Sequence, residues 1–213
     1  MKYFVVSFIF LFLLISCAQT QHADVMIPVA TKGKPSANEA VATFAEGCFW
    51  HSEIVFQSLA GVRDAVSGYA GGKNTHPDYE NVSTGETGHA ESVQVYYDPS
   101  IISYQTLVEA FFASHDPTQL NRQGNDEGTQ YRSIAFYRNE KEKGIIETAI
   151  ARLRAFKKYD AKIVTQVVPF TKFYPAEDYH QEYIYNHPGN PYVQNVSLPD
   201  FARFKKEFKG PFK

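Results

Sequence analysis

The chain has 213 residues, enough for one domain of ordinary size built around a single hydrophobic core. Its 21 Lys and Arg against 23 Asp and Glu give a formal charge of −2, a near-balance that supplies no electrostatic case for nucleic-acid binding. Two cysteines beside 14 Tyr and 17 Phe argue for an aromatic interior without a disulfide framework.

Residues 1–16 hold one positive charge, Lys2, ahead of an apolar run from Phe4 to Ile15. That run is too short for a spanning helix and has the length and flank of a secretory signal. Leu14-Ile15-Ser16-Cys17 then resembles the bacterial lipobox, in which cleavage precedes the cysteine and lipid is attached to it. A plain signal peptide cleaved nearby, or an uncleaved anchor, is the alternative. The expectation is a signal peptide over 1–16, a lipidated Cys17 with a polar tether over 17–40, and one domain over 41–213 held at a membrane of the bacterial cell envelope, on its periplasmic or surface face. Two or three acyl chains would hold it firmly where one chain binds reversibly.

Beyond the tether, apolar periodicity and turn residues predict a strand at Val41–Glu46, a helix at Cys48–Leu59 ended by Gly61, and a strand at Val62–Tyr69. A Gly-rich loop from Gly71 to Gly88 leads to a strand at Ala90–Tyr97. The next helix, Tyr104–Ser114, places Tyr104, Leu107, Val108, Phe111 and Phe112 on one stripe. A polar loop and a strand at Tyr131–Tyr137 complete β-α-β-β-α-β, the split βαβ pattern of a ferredoxin-like core. The fold class is therefore α/β, an α+β two-layer sandwich. Additions follow: a helix with Ile146, Ala149, Ile150 and Leu153 on its buried side, a strand at Lys162–Val168, a long irregular segment rich in Tyr, Pro and Asn up to Pro199, and a short basic helix at Asp200–Phe208.

Cys48 sits in Gly47-Cys48-Phe49-Trp50, where the first strand gives way to the first helix. A thiol there meets unpaired N–H groups and the positive end of the helix dipole, which favour thiolate and predict a nucleophile. Glu91 shares a strand face with Val93, Val95 and Tyr97. A carboxyl on that face loses solvation and favours its neutral, proton-donating form; a solvated position at the strand end is the alternative. The loops 77–82 and 124–131 each bring a tyrosine, Tyr79 and Tyr131, to the sheet edge, where a phenol can donate to a polar oxygen or simply pack. Phe49 and Trp50 can wall an apolar pocket or pack against the sheet. The spacing of His180 and His187 matches no zinc pattern, so no metal is expected.

Gly47-Cys48-Phe49-Trp50, Gly68-Tyr69-Ala70-Gly71-Gly72, Thr87-Gly88-His89-Ala90-Glu91 and Gly124-Asn125-Asp126 running through Gly128-Thr129-Gln130-Tyr131-Arg132-Ser133 closely resemble, in order, the A-type peptide methionine sulfoxide reductases. The resemblance covers about Ala42 to Pro199. It implies that the sulfoxide oxygen accepts hydrogen bonds from Glu91, Tyr79 and Tyr131 while Phe49 and Trp50 enclose the S-methyl group. Cys48 then attacks sulfur, Glu91 supplies the proton, methionine leaves, and Cys48 becomes a sulfenic acid. Asp126 is expected to orient water, Tyr131 or the returning thiol, and the S epimer is the expected substrate, free or in proteins.

Many relatives carry further cysteines near the C-terminus, whereas this chain has none after Cys48. The expected electron source is an external thiol such as thioredoxin, glutaredoxin or dithiothreitol, with no bound cofactor and a monomeric chain. Two readings compete: a thiol hydrolase or transpeptidase using His89, His115 or His180 as base, and a lipoprotein that binds aromatic or peptide ligands on its Tyr-rich face.

Overall fold

The computed structural model describes Met1 and residues 35–213; the leader, Cys17 and most of the tether lie outside the described residues. The chain runs β1 (Ala40–Glu46), α1 (Phe49–Gln57), β2 (Val62–Ala70), α2 (Tyr79–Ser83), β3 (Ala90–Tyr97), α3 (Tyr104–Ser114), the short pair β4 (Arg122–Gln123) and β5 (Asp126–Glu127), β6 (Ser133–Tyr137), α4 (Glu140–Ala155), β7 (Gln166–Pro169), β8 (Phe173–Pro175), α5 (Tyr183–Asn186) and α6 (Leu198–Glu207).

Six strands form one sheet in the order β7-β6-β1-β3-β2-β8. β3 is antiparallel to both β1 and β2 and lies between them, so the crossover through α1 is split, as the sequence predicts. β1 in turn lies between β3 and β6 and is antiparallel to each, which makes the α3 crossover the second split unit. The expected six elements are thus the central four strands and two helices.

Alternation along β1 sends Ala42 and Phe44 to the helix side, where both are fully buried. Phe44 stacks 5.2 Å from Phe56 of α1 and 5.2 Å from Phe111 of α3, and burying each such side chain contributes about 2–3 kcal/mol. Ile146 and Ile150 of α4 and Phe204 of α6 extend the same core. The other face of the sheet carries a smaller cluster of Ala45, Ala70, Ala90, Ile134 and Phe136.

Helix ends follow from short polar side chains: Ser103 accepts from the Thr106 N–H to start α3, and Asn139 accepts from the Glu142 N–H to start α4. Acidic Glu140 and Glu142 and basic Arg152 and Arg154 sit at the matching ends of the α4 dipole.

Four expectations shift. The Gly-rich loop contains α2, a single turn with no apolar period, made by the reciprocal capping of Asp78 and Asn81. Tyr131 ends a 3₁₀ turn (Thr129–Tyr131) instead of opening β6. The strand predicted from Lys162 begins at Gln166 because Val164 donates its N–H to Pro117 outside the sheet. β8 is unforeseen: three residues pair with β2 through Gly68↔Pro175, Tyr69↔Tyr174 and Ala70↔Phe173.

Gly68 makes that pairing possible, since a Cβ there would lie 2.3 Å from the Tyr174 carbonyl and 2.3 Å from Cζ of Phe173. We expect Gly68→Ala to cost about 1–3 kcal/mol through this forced contact, read as a lower midpoint in urea. An unchanged midpoint would mean that β8 yields freely.

Candidate active site

β1 ends at Glu46, and Gly47 turns the chain with φ +107° into α1. A side chain at Gly47 would strike Gln123 at 2.7 Å, so the tight approach of the β4 loop needs glycine there. Cys48 becomes the residue that caps α1. The first N–H groups of the helix are then divided between two acceptors. That of Phe49 is donated to Glu91 Oε2 at 3.0 Å, while those of Trp50 and His51 favour negative charge on the Cys48 sulfur.

Those two donors do not win. Burial pushes the Cys48 thiol well above its ordinary range, and the negative charges of Glu91 and Asp126 add to the effect. The expected resting thiolate is therefore corrected: at rest Cys48 is a thiol. Glu91 is buried, and loss of solvation pushes its carboxyl up to about 8 despite the Phe49 N–H. The neutral form anticipated from its strand face is the form present at neutral pH.

Cys48, Phe49, Trp50, Tyr79, Glu91, Asp126 and Tyr131 line one pocket of about 280 Å³, together with Asn190 and Tyr192. Seven residues singled out from the sequence thus meet in one place. A larger groove of about 500 Å³ between α3 and α4 holds no cysteine and no buried carboxyl, so the smaller pocket is the chemical one.

Each wall is braced. Glu177 accepts the Tyr79 N–H at 2.9 Å and the Tyr69 hydroxyl at 2.8 Å, which fixes the α2 turn. The loop bearing Tyr131 is bound to the α2 loop by Thr129 Oγ1 donating to Gly85 O, Gln130 Nε2 to Ser83 O, and Arg132 to Gly88 O. Burial raises both phenols, with Glu91 adding to it, so both remain O–H donors. Trp50 stacks on Tyr183 at 3.6 Å and donates its indole N–H to His180 Nδ1 at 3.1 Å.

Asp126 accepts a short hydrogen bond from the Tyr192 hydroxyl, not from Tyr131. Tyr192 also faces the Cys48 sulfur, and sequence reasoning missed it along with Asn190. Its signal was the unusually long irregular segment before Pro199, a length that ordinary connections do not reach. The three histidines of the hydrolase reading are engaged elsewhere. His89 accepts the Gly72 N–H and meets Asn74 O, His115 lies between Phe111 O and Ser133 Oγ, and His180 holds the indole. None lines the pocket beside Cys48.

A cysteine at the start of a helix, a neutral buried carboxyl and two phenols lining one pocket of a ferredoxin-like core are groups suited to thiol-based redox chemistry. Comparison with known proteins gives the family. The family model for peptide methionine sulfoxide reductase matches residues 40–211. A relative from Nautilia profundicola, named peptide methionine sulfoxide reductase MsrA, is 50% identical over 165 residues, 78% of this chain and 94% of that protein. Among solved structures, Mxr1 from Saccharomyces cerevisiae in reduced form superposes with a TM-score of 0.70 at 35% identity, covering 75% of this chain and 92% of that one. Mxr1 in complex with Trx2 gives 0.51 at 27% identity, covering 72% and 91%. The chain belongs to the peptide methionine sulfoxide reductase family. It is an oxidoreductase that returns methionine sulfoxide to methionine in protein repair.

Glu46, Glu53 and Glu91 are each pushed up by burial from an ordinary value of 4.5 to about 8. Between these values the folded chain keeps protons that the unfolded chain has lost. Their contribution to stability is complete below about pH 4.5 and disappears as pH rises through about 8. We expect a lower melting temperature at pH 9 than at pH 6, and no difference would mean that the three carboxyls are ionised in the fold.

Proposed function

We propose that the pocket takes the S epimer of methionine sulfoxide, free or within proteins, with Cys48 as nucleophile and Glu91 as proton donor. The observation that carries this reading is the meeting of a half-buried thiol with a neutral buried carboxyl in one pocket. The sulfoxide oxygen accepts from Glu91, Tyr79 and Tyr131, and Phe49 and Trp50 enclose the S-methyl group. With donors on one wall and apolar rings on the other, only one epimer can present oxygen, methyl and sulfur correctly together.

Proton accounting explains how a raised thiol can still react. As the Glu91 proton passes to the sulfoxide oxygen, the carboxylate left behind becomes the acceptor for the Cys48 proton, so the attacking thiolate forms only with substrate in place. Methionine then leaves, and Cys48 holds the oxygen as a sulfenic acid. Asp126 fixes the Tyr192 hydroxyl near the sulfur.

No cysteine follows Cys48, so an external thiol completes the cycle. We take a thioredoxin- or glutaredoxin-like protein as the natural donor, supported by the Mxr1 structure with Trx2; dithiothreitol serves in vitro. The domain over 41–213 acts as a monomer, tethered by residues 17–40 to an envelope membrane through lipid on Cys17, after removal of a signal peptide over 1–16. The lipobox-like Leu14-Ile15-Ser16-Cys17 supports the anchor.

Two measurements test this function. With separated epimers of a methionine sulfoxide peptide and dithiothreitol, the wild-type protein should release methionine from the S epimer alone, and Cys48→Ser should release none. Glu91→Ala should slow single-turnover release by about 10²–10³, the scale for loss of one oxyanion donor, with Glu91→Gln between it and wild type. Equal rates in all three would remove Glu91 from the chemistry. For the anchor, the natural chain should fractionate with membranes, whereas Cys17→Ser should be soluble or remain as precursor; lipid-free wild-type protein in the soluble fraction would refute it.

A further inference from the structure

Behind Cys48 lies a second cavity of about 30 Å³, walled by Glu46, Cys48, His51, Ser114, Ser197 and others. Cys48, Asp126 and Tyr192 line both cavities, so they form the partition between them, and the sulfur is bordered on two sides. The rear space has room for a water molecule and none for a molecule that carries a thiol.

Its wall is rich in polar atoms without well-placed partners. Glu46 Oε1, both ring nitrogens of His51 and Ser197 Oγ are buried without a hydrogen bond of good geometry; Ser52 approaches the Glu46 carboxyl, and the backbone of Ser114 and Ser197 approaches the His51 ring. Such atoms around a water-sized space are costly unless something polar joins them. The period of β1 sends Glu46 to this position, on the face shared with Ala42 and Phe44. Ser114 Oγ lies 2.8 Å from Glu46 Oε2 and 2.8 Å from the Phe111 carbonyl, so it bonds Oε2 on one side and the main chain on the other. Oε1 is then the oxygen free to carry the carboxyl proton into the cavity.

The groups facing Glu46 leave it neutral. His115 Nδ1 is 3.7 Å from Oε2, but burial pushes that imidazole down to about 4. Burial also lowers His51, which lies within reach of Asp200 and Arg203. Asp126 and Asp200 also line the cavity, and it is loss of solvation that raises the Glu46 carboxyl.

Displacement at divalent sulfur runs in line, with the incoming and departing atoms on opposite sides. The front pocket has room for a thiol-bearing molecule and the rear space does not, so attack comes from the front and the departing oxygen of Cys48 sulfenic acid faces the rear. Building on the sulfenic acid of the proposed cycle, we propose that Glu46 is a second proton donor, which protonates the oxygen leaving Cys48 when an external thiol attacks. The thiolate supplies an electron pair and forms the S–S bond. The S–O bond breaks, and the hydroxyl takes the Glu46 proton and departs as water. Glu46 recovers the proton that the thiol gave up. The cysteine sulfur is reduced and the external thiol oxidised; a second thiol then frees Cys48 by exchange.

The test separates the two half-reactions. Wild type and Glu46→Gln are each charged with one equivalent of sulfoxide peptide and methionine release is measured; 2-mercaptoethanol is then added, and decay of dimedone-reactive Cys48 is followed by quenched mass spectrometry. Glutamine keeps the size and the Ser114 bond but has no proton to transfer. The decay rate per thiolate should fall at least about 10²-fold in Glu46→Gln, the low side of general-acid effects, and by more than the methionine burst falls. In wild type that rate should drop as pH rises through about 8, where Glu46 ionises, and in Glu46→Gln this limb should vanish. Equal decay rates, a limb that persists in Glu46→Gln, or a wild-type rate without the limb would overturn the proposal. A wild-type protein with no methionine burst would overturn the cycle itself, and the proposal with it.

Discussion

The bond from the Phe49 N–H to Glu91 Oε2 at 3.0 Å is the contact on which the site depends. It joins the start of β3 to the first turn of α1 and so fixes where Cys48 stands relative to the carboxyl. The sheet register explains why a gap exists there at all. β1 and β3 pair from Ala40↔Tyr97 to Phe44↔Val93 and stop short of bringing Glu46 against Glu91, as Gly47 turns the chain away. Two carboxyls on the helix side of adjacent strands are left at the end of the ladder, both buried and both neutral at pH 7.

A site made of neutral carboxyls, phenols and a thiol has little formal charge at rest, and that suits its chemistry. Burying ionised groups without partners would cost several kcal/mol each, whereas neutral O–H donors can be held in place at low cost. A sulfoxide oxygen carries substantial negative charge before it is protonated, and such donors gain strength as that charge grows in a poorly solvated pocket. The same burial that raises Glu91 raises Cys48, so the two are a coupled pair. In the proposed mechanism the pair keeps its protons until a substrate oxygen draws one away. Reactivity is thereby tied to occupancy, which limits wasteful oxidation of an exposed thiolate.

How much of this was legible in the sequence follows the length scale of each interaction. The period of two along Val41–Glu46 and Ala90–Tyr97 and the helical stripe from Tyr104 to Phe112 are local, and they gave the central strands and helices in their correct order. Glu46 is marked by the same period, as the charged member of a face otherwise Ala42 and Phe44, but at the last position of a strand the pattern does not distinguish a buried carboxyl from a solvated one. α2 and β8 were hidden because neither has a period: one rests on a capping pair, the other on a close approach to Gly68. Tyr192 was hidden for a different reason. Its partner Asp126 is 66 residues away, and no local pattern marks one tyrosine among fourteen. The resting state of Cys48 was misread because the helix end is visible in sequence and the depth of burial is not.

The two unequal cavities also order the catalytic cycle. The front pocket of about 280 Å³ is the only one of the two with room for a side chain of another molecule, and the rear space of about 30 Å³ admits only water or a hydroxyl. A relative with its own second cysteine can bring that thiol to the sulfur along the chain, but in the cycle proposed here the external reductant enters where the substrate entered. Methionine must therefore leave before the thiol arrives, and each should inhibit the other's half-reaction by occupying the same walls of Phe49 and Trp50. In that cycle the oxygen travels the other way: it arrives in front with the sulfoxide and, once bound to Cys48 alone, can swing behind the partition. In the proposed cycle, separation of the two routes lets a single cysteine serve as nucleophile toward one molecule and electrophile toward the next, with Glu91 in front for the first role and Glu46 behind for the second.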